Sequence, residues 1–222
     1  MNKYVILVAG GKGSRMKSSV PKQFLRIHGK PLLMHTFQAF QATGENFRYI
    51  LVLPGKEMET WKKLCEECSF DIPHQIAEGG PTRFHSVKSG LKKIAEDEAL
   101  VAVHDAVRPL LEPEMIRKVF EMAQYHGAAI PTMPVMESLR ERTGSVSKAV
   151  NREKYVLVQT PQCFWLSKLK KAYLQSYRED FTDDASVIEA DGETLHLVPG
   201  SPKNIKITTP EDLKIAAALL VP

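Results

Sequence analysis

Along the chain, short runs of consecutive apolar residues alternate with segments whose apolar positions recur every three or four residues. Unbroken runs bounded by turn residues fit strands buried on both faces, and the three-to-four spacing fits helices that bury one side. The runs predict strands over 4–9, 49–53, 74–77, 100–104, 128–133, 155–158, 194–198 and 204–207. Helical stripes lie between them: Leu33, Phe37 and Phe40; Phe84, Val87 and Leu91; Ile116, Val119, Phe120 and Ala123; Leu213, Ala216, Ala217 and Leu220. These stripes read as core. Strands alternating with helices predict an α/β fold, a Rossmann-like, mostly parallel mixed sheet flanked by helices.

One stretch breaks the pattern. Residues 138–152 are polar and charged, with a Thr143-Gly144-Ser145 turn signal between segments that can pair as a hairpin. So little apolar surface cannot fold alone, and the stretch is expected to protrude as a β-hairpin arm, mobile or docked on another subunit. With no repeat, low-complexity tract or linker to divide the chain, residues 1–222 are expected to form one domain that carries this arm.

Composition adds limits. A hydrophobic content of 43% over 222 residues can bury a sizeable core and excludes a disordered chain. Thirty Lys and Arg against 26 Asp and Glu give a net charge of +4, without dense basic runs. That balance suits small phosphorylated ligands better than nucleic acid. No apolar run reaches the roughly 18 to 20 residues that span a bilayer, and no secretory signal pattern opens the chain, so a cytoplasmic protein without a membrane partner is expected. Three cysteines cannot make a disulfide framework, and Cys65-x-x-Cys68 is the only close pair. It sits near the end of a predicted helix, away from an N-terminus that would stabilise a thiolate, which favours a structural reading over a redox one.

Candidate chemistry begins after the first strand, at Ala9-Gly10-Gly11-Lys12-Gly13-Ser14-Arg15-Met16, followed by Pro21-Lys22. The spacing is not that of a P-loop, and Met16 stands where a dinucleotide fingerprint needs its third Gly. Three glycines among four residues still let backbone amides turn toward an anion, and Arg15 and Lys22 add charge at the same mouth. A tight turn with solubilising basic residues would look the same. The position at the carboxyl end of the first strand, where such sheets bind ligands, favours nucleotide phosphate.

In order, the loop motif with Pro21-Lys22, His104-Asp105-Ala106-Val107-Arg108-Pro109, Thr160-Pro161-Gln162, Thr182-Asp183-Asp184-Ala185-Ser186 and Asn204-Ile205-Lys206-Ile207-Thr208 resemble the 2-C-methyl-D-erythritol 4-phosphate cytidylyltransferase family over nearly the whole chain. The resemblance implies attack by a sugar-alcohol phosphate on the α-phosphorus of CTP, with pyrophosphate leaving, in non-mevalonate isoprenoid synthesis. It implies catalytic roles for Arg15, Lys22, Arg152 and Lys206. It places the nucleotide on Ala9, Gly10, Gly11, Gly13, Gly79, Gly80, Ser86 and Asp105, and the alcohol phosphate on Asp105, Arg108, Ser138, Thr160 and Thr182. It further implies Mg²⁺ or another hard divalent cation with Asp105 as its protein ligand, and a homodimer whose arms swap between partners.

Two positions depart from the family pattern: Gly10, where methylerythritol members usually have Ala and ribitol 5-phosphate members Gly, and Arg140, where Lys is usual. Ribitol phosphate therefore stands as the alternative alcohol. A non-catalytic CTP-binding regulator is the alternative of another class. A nucleotide-sugar glycosyltransferase is disfavoured, because Asp183-Asp184 is contiguous and not Asp-x-Asp.

Overall fold

A computed structural model describes residues 1–10, 16, 18, 20–96 and 98–220. Twelve strands occur among them: β1 (Asn2–Val8), β2 (Arg26–Ile27), β3 (Lys30–Pro31), β4 (Phe47–Leu53), β5 (His74–Glu78), β6 (Ala99–Asp105), β7 (Ala128–Pro134), β8 (Arg140–Thr143), β9 (Val146–Ala149), β10 (Val156–Val158), β11 (Gln162–Trp165) and β12 (His196–Pro199). The helices are α1 (Leu32–Gln41), α2 (Met58–Glu67), α3 (Arg83–Leu91), α4 (Pro113–His126), α5 (Leu166–Ala172), α6 (Asp184–Ala190) and α7 (Pro210–Leu219).

The eight-stranded sheet is the mixed, mostly parallel sheet expected. β1 lies between β4 and β6, both parallel to it, and β5 extends the parallel run beyond β4. Alternate residues of β1 bury on opposite faces, Val5 and Leu7 with α1 and α4 on one, Tyr4 and Ile6 with α3 on the other. Covering both faces removes the need for polar alternation, hence the unbroken apolar runs in the sequence. Each fully buried Leu, Ile or Val contributes about 1.5–3 kcal/mol.

Past β6 the sheet turns mixed. β11 runs antiparallel between β6 and β7, and β10 pairs with the far end of β7. Val158 faces Thr132 while Cys163 faces Ala129, so the segment gains two unpaired residues between β10 and β11. This bulge lifts Thr160 out of the ladder and toward the carboxyl end of β6.

Sequence and structure differ over 204–207 and over 162–172. The expected strand over 204–207 does not form. Side chains tie that segment down instead, with Asn204 Nδ2 on the Thr160 carbonyl at 2.8 Å and the Arg108 guanidinium on the Asn204 carbonyl at 2.8 Å. β11 and α5 were not anticipated, because Gln162 interrupts the apolar signal and α5 is only seven residues long. The Cys65 thiol is pushed up to about 11, chiefly by burial, which disfavours the redox reading.

The arm is a two-stranded hairpin, β8 against β9, with every residue of both strands exposed. Its turn places Gly144 at φ +61, the left-handed conformation a two-residue hairpin turn asks of its first residue. Arg140 spans the hairpin, donating to the Ser147 hydroxyl at 2.7 Å and the Ser147 carbonyl at 3.0 Å. The arginine at this departure from the family pattern thus stiffens the arm.

Candidate active site

At the carboxyl ends of β1 and β6 two recesses adjoin. The first, of about 200 Å³, is bounded by Ala9, Gly10, Lys22, Gly80 and Ser86. The second, of about 170 Å³, is bounded by Arg108, Thr160, Gln162, Thr182 and Asp183. Arg83, Asp105 and Lys206 line both, and so form a shared wall.

Asp105 ends β6, and its carboxylate gathers three cations. Lys206 Nζ lies 3.0 Å and Arg108 Nε 3.2 Å from Oδ2, and Arg83 Nε lies 3.8 Å from Oδ1. Burial alone would raise this carboxyl. Arg83 first, then Lys206 and Arg108, overcome it and hold the group well below the usual carboxylate range. Asp105 is therefore a fixed anion that orients cations around it.

Arg83 was not anticipated as a site residue. It opens α3 after Thr82, whose hydroxyl accepts from His85 N–H. Its guanidinium donates to Asp184 Oδ2 at 2.6 Å, and Tyr173 donates its hydroxyl to Asp184 Oδ1 at 2.6 Å. Asp184 in turn is placed by the start of α6, where Asp183 and Ser186 form a reciprocal cap. Gln162 locks this corner, donating to Asp183 Oδ2 at 2.8 Å and accepting from Ala185 N–H at 2.9 Å. The available signal was an arginine in the first turn of a helix, where the helix dipole disfavours positive charge.

On the other flank, His104 is fully buried and burial lowers it from 6.5 to about 3, so it is neutral. Its Nε2 faces the Arg108 carbonyl at 3.1 Å, which can only accept, so the proton resides there. Nδ1 then accepts from the Thr160 hydroxyl at 2.9 Å, whose oxygen accepts from Asp105 N–H at 3.1 Å.

Gly80 donates its N–H to Ser86 Oγ at 3.1 Å, and Ser86 donates onward to the Thr82 carbonyl at 3.0 Å. A Cβ on Gly80 would lie 2.4 Å from the Cβ of His85, so the turn requires glycine. At Gly10 an added Cβ would meet, among the described residues, only Ser86 Oγ, at an ordinary 3.5 Å. Among these residues an Ala at Gly10 would fit without a clash.

The structure thus brings Ala9, Gly10, Lys22, Gly80, Ser86, Asp105, Arg108, Thr160, Thr182 and Lys206 to the two recesses. Gly79 adjoins them, its Cβ position 3.2 Å from Ser86 Oγ. Gly11, Gly13 and Arg15 lie outside the described residues. Ser138 and Arg152 are not brought to the recesses within one chain. They line a separate hollow of about 430 Å³ at the base of the arm, where Arg152 donates to the Met136 carbonyl. Among the described residues no group of three His, Cys, Asp or Glu could hold a metal, and no helix is long and apolar enough to cross a membrane.

Known proteins share this arrangement of elements. The model of the IspD family, 2-C-methyl-D-erythritol 4-phosphate cytidylyltransferase, matches residues 3–221. A Bacteroides thetaiotaomicron protein of that name is 53% identical over 220 residues, covering 99% of this chain and 100% of the relative. One from Phocaeicola vulgatus is 52% identical, with coverage of 99% and 100%. The crystal structure of the Thermus thermophilus enzyme of that name superposes with a TM-score of 0.77 at 32% identity, covering 99% of this chain and 98% of that one.

Proposed function

We propose, from the premise that this chain belongs to the 2-C-methyl-D-erythritol 4-phosphate cytidylyltransferase family, that the shared Arg83–Asp105–Lys206 wall is where its two phosphorylated substrates meet. The reaction joins CTP and 2-C-methyl-D-erythritol 4-phosphate. CTP occupies the recess of Gly80, Ser86 and Lys22, and the alcohol phosphate occupies that of Arg108, Thr160 and Thr182. A phosphate oxygen of the alcohol attacks the α-phosphorus, the bond to the β-phosphate breaks, and pyrophosphate leaves with that electron pair.

The observation that carries this reading is the adjacency of two recesses across one ionic cluster. Both substrates are polyanions, so bringing them together needs positive charge at the junction, held before they arrive. Lys206 meets the two phosphates at the shared wall, and Lys22 stabilises charge on the α-phosphate and the leaving group. Arg15 is assigned the same task as Lys22 on the family's motif. Arg83 and Arg108, anchored by Asp184 and Asp105, hold the wall in place.

The donor set does not form a cage for a resident metal, since one carboxylate oxygen of Asp105 already faces Lys206 and Arg108. It fits a cation that arrives on the nucleotide. Mg²⁺ keeps several waters and takes phosphate oxygens as ligands, so Asp105, the carboxylate at the shared wall, would be its one protein contact. Such a cation supplies charge neutralisation on the triphosphate.

The alcohol phosphate needs one further grip, assigned to Ser138 and Arg152 from the arm of a second subunit. Supporting this, β10 exposes Val156, Leu157 and Val158 next to an exposed Tyr155, and Met136 and Leu197 lie exposed along a further hollow, of about 680 Å³, that Tyr155 and Val156 also line. Isolated apolar residues are ordinary on a surface, but six exposed ones grouped around the edge strand beside an unpacked arm fit burial against a second copy. A homodimer in the cytoplasm, with Cys65, Cys68 and Cys163 as free thiols, completes the reading.

The test is pyrophosphate release from CTP with a panel of methylerythritol, ribitol and hexose phosphates. Release with methylerythritol phosphate at least tenfold above the others supports the reading. Equal rates across the panel, or CTP binding without release, would overturn it.

A further inference from the structure

Gln23 belongs to none of the roles described above. It lies in the single turn of 3₁₀ helix Lys22–Phe24, just past Pro21, and the turn is pinned by a bond from Phe24 N–H to the Pro21 carbonyl at 2.8 Å. Phe24 is buried and stacks with Trp61 at 6.2 Å between ring centres. The anchor faces the core, and Gln23 faces the first recess beside Lys22, Ala9 and Gly10.

Gln23 is only 2% exposed, and its Oε1 has no hydrogen-bond partner among the described residues. A buried amide oxygen without a donor is destabilising, and native chains keep few of them unless a ligand completes the bond. The last torsion of a glutamine side chain is soft, so Oε1 can turn into the recess it lines. The neighbouring Lys22, Lys206 and Arg83 are donors and match phosphate oxygens. Beside its own amide donors Gln23 offers what they lack, a neutral acceptor in Oε1, and a nucleotide presents donors to such an acceptor only on its nucleoside.

We propose that Gln23 is a nucleotide-binding residue, whose Oε1 accepts a hydrogen bond from a ribose hydroxyl or from the amino group of the cytosine. This rests on the reading that the first recess takes CTP. It gives the enzyme a contact to the nucleoside that is independent of the phosphate grip, and so a means of choosing among nucleotides.

The experiment is equilibrium binding of CTP and thermal unfolding of Gln23→Met, which keeps the side chain's length and removes the acceptor. The dissociation constant for CTP should rise about fivefold to tenfold, the span of one neutral hydrogen bond. That for the alcohol phosphate should move less than about twofold, and the ligand-free variant should melt no lower than the parent because the orphaned amide is gone. Binding of 2′-deoxy- and 3′-deoxy-CTP and of UTP assigns the donor: the variant-to-parent ratio should collapse to about one for the nucleotide lacking it. An unchanged constant for CTP, equal weakening of both substrates with a lower melting temperature, or an undiminished ratio for all three analogues would overturn the proposal. Ser86→Ala separates the failures. If it too leaves CTP binding untouched, the recess itself is misassigned; if it weakens CTP while Gln23→Met does not, only Gln23 is. Should Gln23→Met not fold, Gln23→Asn, which draws the same amide back from the recess, must show the same selective loss.

Discussion

His104 and Thr160 fix each other's protons: because the Arg108 carbonyl claims the Nε2 proton, Nδ1 at 2.9 Å must accept from the Thr160 hydroxyl. The pair welds the end of β6, where Asp105 sits, to the bulge between β10 and β11.

That pairing makes stability depend on pH in a stated direction. Folded His104 takes a proton only near pH 3, while the unfolded side chain takes one near 6.5. As pH falls below 6.5 the unfolded state gains the proton first, so stability is present above that value and declines down to about 3. The loss is about 1.4 kcal/mol per pH unit, or about 2 kcal/mol between pH 7 and pH 5. Urea unfolding of the parent and of His104→Gln at both pH values should show the parent losing about that much more. Parallel losses would mean that His104 is protonated in the fold.

Thr160→Val removes both bonds at once. It leaves Asp105 N–H and His104 Nδ1 without partners, at a cost of about 2–4 kcal/mol by denaturant unfolding. Thr160→Ser, which keeps the hydroxyl, should lose less than half as much.

The pair of Arg83, part-buried at the recess wall, and the fully buried Asp184 predicts an asymmetric result. Asp184→Asn leaves the guanidinium with only the more distant Asp105 carboxylate, at 3.8 Å, and should cost about 2 kcal/mol. The double variant Arg83→Met/Asp184→Leu should recover part of that stability. It should not recover turnover, because the shared wall has lost a cation.

If sites are composite, subunits inactivated in different halves must complement. Lys22→Ala should lower turnover about a hundredfold to a thousandfold with little change in alcohol phosphate binding. Arg152→Ala should weaken the alcohol phosphate while leaving CTP affinity near its parent value. Mixed and reassorted, the two give heterodimers in which one site is intact, and about a quarter of the parent activity should return. Activity no greater than that of the separate variants would place Arg152 outside a shared site.

Most of the architecture was legible because covering both sheet faces leaves unbroken apolar runs such as Tyr49 to Leu53, which cannot be satisfied elsewhere. The segment around Lys206 misled, because Ile205 and Ile207 alternate like a strand while the backbone there is held by Asn204 and Arg108. Local pattern records burial, not which group supplies the hydrogen bonds. Asp105, Arg108 and Lys206 were found through short motifs at strand ends. Gln162 and Asp184 stand inside such motifs without a role and Arg83 stands in none, since what they do arises from contacts across about 20 to 100 positions of sequence.

Lys206 is the cation placed where both phosphates meet, its ammonium 3.0 Å from Asp105 on the wall between the recesses. Arg83 and Arg108 remain to hold Asp105 when it is removed, so Lys206→Ala should fold and still bind each substrate within about tenfold of the parent. Pre-steady-state pyrophosphate release at saturating CTP and methylerythritol phosphate should then fall about a hundredfold or more. A release rate within about threefold of the parent would show that the phosphates do not meet there.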